Sequence, residues 1–190
     1  MSNYSYSRLT TYENCPQQYK LRYIDKLEVP DAGEGIEAFL GHRVHEALEK
    51  LHRELILTKR NDLQALIDYY GQQWDKNWHR NVLIVKKEFT KEHYRRTGEE
   101  ALTNYYRRYQ PFDQSKTLAT EYALAFRLEG YSIRGVIDRL SQTRDGVYEI
   151  QDYKTSGPPG HFPPRRRSRG TGSLPSTRSG SGRSFGTPEE

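Results

Sequence analysis

A single cysteine, Cys15, stands in a chain of 190 residues. One thiol cannot close an internal disulfide, which suits a reducing compartment. No apolar run approaches the roughly 18 residues that a membrane helix needs. The opening residues, MSNYSYSRLT, lack the apolar stretch of a secretion signal. These absences lead us to expect a soluble, cytoplasmic protein without a membrane role. Large aliphatic side chains are scarce too: Leu, Ile, Val and Phe make up 37 of the 190 residues. That share sits near the roughly 20% below which chains tend to stay unfolded. No repeat at a solenoid period is visible.

The scarcity is not uniform. Residues 156–190 hold six Arg and two Glu, 7 of the 15 Gly, 6 of the 9 Pro and none of the 15 Tyr. The other 155 residues carry 24 basic and 23 acidic side chains, so most of the formal +5 lies in the tail. The pI of 9.2 therefore does not describe a basic folded surface. The composition divides the chain into a folded domain over 1–156 and a disordered Arg/Gly/Ser/Pro-rich tail over 157–190, too poor in apolar residues to bury a core.

Within the first part, residues 5–24 read as helical, with Ser5 or Ser7 as cap and Pro16 restarting the helix. Residues 30–35 read as a loop. The clearest helix is 36–57, where Ile36, Phe39, Leu40, Val44, Leu48, Leu51 and Leu55 recur at three- and four-residue steps. Further helices are expected over 62–78 and 86–109, with Gly98 a candidate break in the second. From Thr117 to Lys154 the period becomes strand-like. Turns fall at Glu129-Gly130 and Arg144-Asp145-Gly146, and Asp-Gly between alternating runs is a strong hairpin signal. Helices followed by antiparallel strands predict a mixed α/β fold.

The chemistry concentrates in Gly135-Val136-Ile137-Asp138 and, across the second turn, Asp152-Tyr153-Lys154. Residues two apart on a strand face the same side, so Asp152 and Lys154 project together. The hairpin brings them beside Asp138. Paired carboxylates repel unless a cation neutralises them, and a hard divalent ion prefers oxygen ligands. Such an ion lowers the pKa of a water and offsets charge building on a phosphate oxygen, while an ammonium stabilises the transition state. Metal-assisted hydrolysis of a phosphodiester is the expected reaction.

Together these residues resemble the PD-(D/E)XK nuclease superfamily, in particular its RecB-like branch. Ser7-Arg8-Leu9, Tyr12, Cys15-Pro16, Tyr19 and Tyr23 are similar to the N-terminal signature of that branch. Gly41 to Glu49 is similar to its Gly-x-x-x-His helix, and the motifs occur in the family's order over about residues 5–156. The resemblance implies a restriction-endonuclease-like core, a mixed β-sheet flanked by helices. It implies Asp138, Asp152, His45 and the backbone carbonyl of Tyr153 as ligands of Mg²⁺ or Mn²⁺, and Lys154 as the catalytic lysine. The implied activity is DNA cleavage, exonucleolytic rather than endonucleolytic, in recombination, repair or foreign-DNA processing, with a helicase or other repair protein as partner. His42, His52 and His79 read as surface residues. Glu121 reads as exposed strand charge, with an auxiliary carboxylate as the alternative. Some relatives bind a four-iron cluster through an N-terminal cysteine, but a cluster needs about four thiolates. No Fe–S centre is expected within this chain, and Cys15 reads as a small buried residue.

After Lys154 the resemblance calls for a helix with a Gln-x-x-x-Tyr motif, which the tail lacks. Codons for Gly172 to Thr177 can be chosen so that a neighbouring frame spells Gln-Leu-Ala-Leu-Tyr. A shifted reading frame is the preferred account of the tail, and a basic nucleic-acid arm around Arg165 to Arg169 is the alternative. Two rival functions stay open: a nuclease fold that binds nucleic acid without cutting it, and a relative of the CRISPR-associated adaptation nucleases.

Overall fold

A computed structural model describes residues 3–27, 33–59 and 62–155. The expectations for the tail, and for residues 30–32 of the loop over 30–35, lie outside the described residues; Glu34–Gly35, read as loop, form a short strand instead.

The N-terminal segment is broken where its sequence forces a break. After a short strand β1 (Asn3–Tyr4), the Ser5 hydroxyl accepts from the Arg8 amide at 3.2 Å and caps α1 (Tyr6–Asn14). Pro16 has no N–H to continue that helix, so a second one, α2 (Pro16–Tyr19), starts there. Cys15 caps α2, its sulfur accepting from the Gln18 amide at 3.4 Å. The thiol is half-buried rather than buried, because capping holds it at the surface. A π-helical turn follows over Lys20–Ile24. The helical stretch expected over 5–24, with its restart at Pro16, is thus three pieces, the last of them π-helical.

The apolar core is helical. α3 (Ile36–Ile56), α4 (Leu63–Asn77, capped by Asp62) and α5 (Lys91–Tyr109, capped by Thr90) pack together around Phe39, Leu48, Leu66, Trp74 and Leu102. Phe39 meets Trp74 edge-on with centroids 5.0 Å apart. A minimal parallel pair, β2 (Glu34–Gly35) with β3 (Val82–Leu83), closes one end. α5 starts five residues later than the expected 86, where Thr90 offers the cap. Gly98 does not break α5. A side chain there would run into the Tyr70 hydroxyl and the Leu40 side chain, so glycine permits close approach of α3 and α4. Among the described residues no helix is long and apolar enough to cross a membrane.

Three antiparallel strands follow: β4 (Ser115–Leu128), β5 (Tyr131–Thr143) and β6 (Tyr148–Gln151). The tight turn between β4 and β5 uses Glu129 at φ 48° and Gly130 at φ 84°, and Gly146 at φ 81° serves the next. β5 is central. β4 lines one edge throughout. On the other edge β1 pairs in parallel at Ser132 and Ile133, and β6 pairs antiparallel at Arg139 to Gln142. Among the described residues, 134–138 have no strand partner on that edge.

The sheet meets α3 and α5 through polar side chains. Ser115, Thr117, Arg139, Ser141, Glu149 and Gln151 are all buried there. His52, expected at the surface, is 1% exposed. It follows His45 by two helical turns, which carries it onto the face of Leu48 and Leu51 rather than to solvent. Its Nε2 meets the Tyr105 hydroxyl at 2.8 Å and its Nδ1 the Thr117 hydroxyl at 3.4 Å. Burial first, and the Arg139 charge second, hold its pKa well below the ordinary 6.5. His42 and His79 do lie at the surface, each beside Glu34.

Candidate metal centre

Helix α3 delivers His45 from the partly exposed border of its apolar face. His45 Nε2 lies 2.8 Å from the Tyr153 carbonyl oxygen, and its Nδ1 3.6 Å from Asp138 Oδ2. A carbonyl only accepts, so Nε2 carries the proton of that bond. The same Asp138 oxygen accepts the Tyr153 amide at 2.6 Å. The Tyr153 backbone is therefore gripped from both sides. Its ring anchors it from behind, buried edge-on against Tyr105 with centroids 5.7 Å apart.

β4 supplies a further carboxylate. The Glu129–Gly130 turn sets a register in which Thr120 faces Arg139 and Tyr122 faces Ile137, so Glu121 stands opposite Asp138. The ladder skips that one pair, and Glu121 adopts φ 48°, a left-handed conformation unfavourable for a residue with a Cβ. One nitrogen of His45 and one oxygen each of Glu121 and Asp138 lie within 4.8 Å of one another.

The electrostatics of this group favour a cation. Asp138 is raised above its ordinary value, first by burial and further by Asp152. The Tyr153 amide, His45 and Lys154 pull the other way. Glu121 is raised as well, by burial and then by the charges of Asp138 and Glu49, against His45. Two carboxylates that disfavour each other's charge, beside an imidazole, form a donor set of the type that binds hard or borderline divalent ions. The residues present fit such an ion.

Asp152 and Lys154 follow β6 and engage each other, with Lys154 Nζ 2.9 Å from Asp152 Oδ1. Both are well exposed, at 62% and 53% of the side chain. They influence Asp138 electrostatically, yet Asp152 stands outside the group of mutually close ligand atoms. Of the expected residues, the structure thus brings together His45, Asp138 and the Tyr153 carbonyl. It sets Asp152 and Lys154 beside them as an ion pair, and it adds Glu121. The signal for Glu121 was available in the sequence: counting back across a two-residue turn places 121 opposite 138.

The sequence model of the PD-(D/E)XK nuclease superfamily matches residues 3–168. No curated protein matches the chain.

Proposed function

Because the chain belongs to the PD-(D/E)XK nuclease superfamily, we propose that it hydrolyses phosphodiester bonds of DNA with Mg²⁺ or Mn²⁺ held by His45, Glu121 and Asp138, with the Tyr153 carbonyl and Asp152 as further ligands. The convergence of His45, Glu121 and Asp138 within 4.8 Å supports this reading most directly. When bound, the ion supplies a lowered water pKa and charge compensation at the phosphate. The chain's own groups do the rest. His45 and Asp138 fix the Tyr153 backbone, and thereby the start of the segment that carries Asp152 and Lys154. The Lys154 ammonium, steered by Asp152, offsets negative charge that builds on the phosphoryl oxygens.

In the same reading the enzyme belongs to the RecB-like branch and degrades DNA from an end. It works in the cytoplasm in recombination, repair or foreign-DNA processing, alongside a helicase. The folded unit is 1–156. One observation favours a second reading, a nuclease fold that binds without cutting: Asp152 and Lys154 satisfy each other rather than facing the ligand group.

The test is cleavage of linear and circular DNA by the purified chain in Mg²⁺ and in EDTA. Degradation of the linear form alone, only with metal and lost in Asp138→Asn, is expected. Metal-independent cleavage, or full activity in that variant, would overturn the assignment.

A further inference from the structure

Tyr153 lies beyond the last rung of its sheet. β6 ends at Gln151, which pairs with Arg139 on β5, so no ladder bond among the described residues fixes the Tyr153 backbone. Two hydrogen bonds grip it instead, one from His45 to its carbonyl and one from its amide to Asp138. Both partners belong to the donor set of the metal centre. A hold on Tyr153 that is independent of that donor set has to come through its side chain.

That side chain ends a buried polar chain. The Tyr153 ring lies edge-on to Tyr105, with the two hydroxyls 3.5 Å apart. The Tyr105 hydroxyl is 2.8 Å from His52 Nε2, and His52 Nδ1 is 3.4 Å from Thr117 Oγ1. Thr117 Oγ1 in turn accepts from Arg139 Nε at 2.9 Å. All five side chains are buried. An arginine only donates, so the order that leaves no hydrogen of the group unused runs outward from Arg139: Thr117 donates to His52, His52 to Tyr105, and Tyr105 to Tyr153. Arg139 also donates to Gln151 Oε1 at 2.9 Å, which ties the end of β6 to the same chain. β4, β5, α3 and α5 each contribute one residue, Thr117, Arg139, His52 and Tyr105. A buried network satisfied in this way rigidifies what it holds.

We infer that Tyr105 is a positioning residue for the metal centre: its hydroxyl, set by His52, holds the Tyr153 ring, and through it the Tyr153 carbonyl and the backbone that carries Asp152 and Lys154. The inference rests on the nuclease reading above and deepens it. Tyr105 itself touches none of His45, Glu121 and Asp138 in this role. It acts through Tyr153, as groups behind a ligand act on the ligand's aim.

The test removes the two hydroxyls singly and together in the full chain, and reads titration calorimetry of Mn²⁺ and cleavage kinetics on linear DNA. Tyr105→Phe keeps the ring and its edge contact. It should weaken Mn²⁺ binding about tenfold and, at saturating Mn²⁺, lower kcat while KM for DNA stays within about twofold. Tyr153→Phe keeps the backbone carbonyl and should behave the same; it decides in place of Tyr105→Phe if that variant does not fold. The double variant should be no worse than either single one, because the two hydroxyls act through each other. Tyr70→Phe is the control. Its buried hydroxyl donates to the Arg95 carbonyl at 3.3 Å on the α4 side of the core, so its loss should lower the urea midpoint and leave Mn²⁺ affinity unchanged. Wild-type Mn²⁺ affinity in Tyr105→Phe would overturn the inference, as would an equal loss in Tyr70→Phe or additive losses in the double variant. Mn²⁺ binding that depends on Tyr105 in a chain that never cleaves DNA would sink the nuclease reading and leave Tyr105 as a positioning residue. Cleavage with metal binding independent of Tyr105 would do the reverse, and a wild-type chain that binds no Mn²⁺ would overturn both.

Discussion

Glu121 faces Asp138 across the one skipped pair of the β4–β5 ladder, and its backbone is left-handed there at φ 48°. A strand gains nothing from that conformation, which costs roughly 1–2 kcal/mol in a residue with a Cβ. Strain of this kind persists where surrounding structure over-determines it, and it clusters at functional sites. Here it accompanies a carboxylate brought to a second carboxylate and an imidazole.

Glu121→Gly should separate strain from function. Glycine accepts the left-handed backbone, and the change also removes a charge that Asp138 opposes. The metal-free variant should be more stable than wild type by about 1 kcal/mol in urea denaturation, and its affinity for Mn²⁺ should fall. A less stable variant with unchanged metal affinity would make Glu121 a structural residue.

Lys154→Ala and Asp152→Ala should impair cleavage and leave the fold intact. Both side chains are exposed and bond mainly to each other, so thermal unfolding should shift by less than about 0.5 kcal/mol. Metal-dependent cleavage should drop by about 10² or more. Retained cleavage in both variants would remove them from the chemistry.

His52 gives the fold a pH dependence whose sign is fixed by burial. Its folded pKa is depressed, so the unfolded chain binds a proton that the folded one refuses. This contribution to stability is complete above pH 6.5 and declines as pH falls below it, with a slope of up to about 1.4 kcal/mol per pH unit. Urea midpoints of wild type should fall between pH 6.5 and 5, and those of His52→Gln should fall less. Parallel profiles would show that His52 titrates normally.

Gly98→Ala sets helix propensity against packing. Propensity alone would stabilise α5 by about 1 kcal/mol. The added methyl, however, collides with the Tyr70 hydroxyl and the Leu40 side chain, and overpacking of this kind costs about 1–3 kcal/mol. A lower urea midpoint is expected, and a higher one would mean that α4 and α5 can separate freely.

The parts of this architecture that local rules dictate were legible in the sequence. Three-and-four spacing of apolar residues located α3 and α4. The Glu129-Gly130 and Asp145-Gly146 turns fixed the two hairpins, and with them the neighbourhood of Asp138 and Tyr153. The errors arose where tertiary contacts decide. His52 looks like a surface residue until Tyr105 and Thr117 arrive to satisfy its ring. Gly98 looks like a helix breaker until Tyr70 fills the space beside it. Glu121 is the exposed strand charge that its sequence suggests, yet its left-handed turn has no signature in residue type, and its place opposite Asp138 shows only in the register.

Titration calorimetry of Mn²⁺ into the wild-type chain and into Asp138→Asn tests the central claim most directly. The asparagine keeps an oxygen for the Tyr153 amide, so the backbone grip survives while the charge goes. Saturable binding to the wild type, weakened at least about tenfold in the variant, is expected. Equal affinity in the two proteins would contradict a metal centre at His45, Glu121 and Asp138.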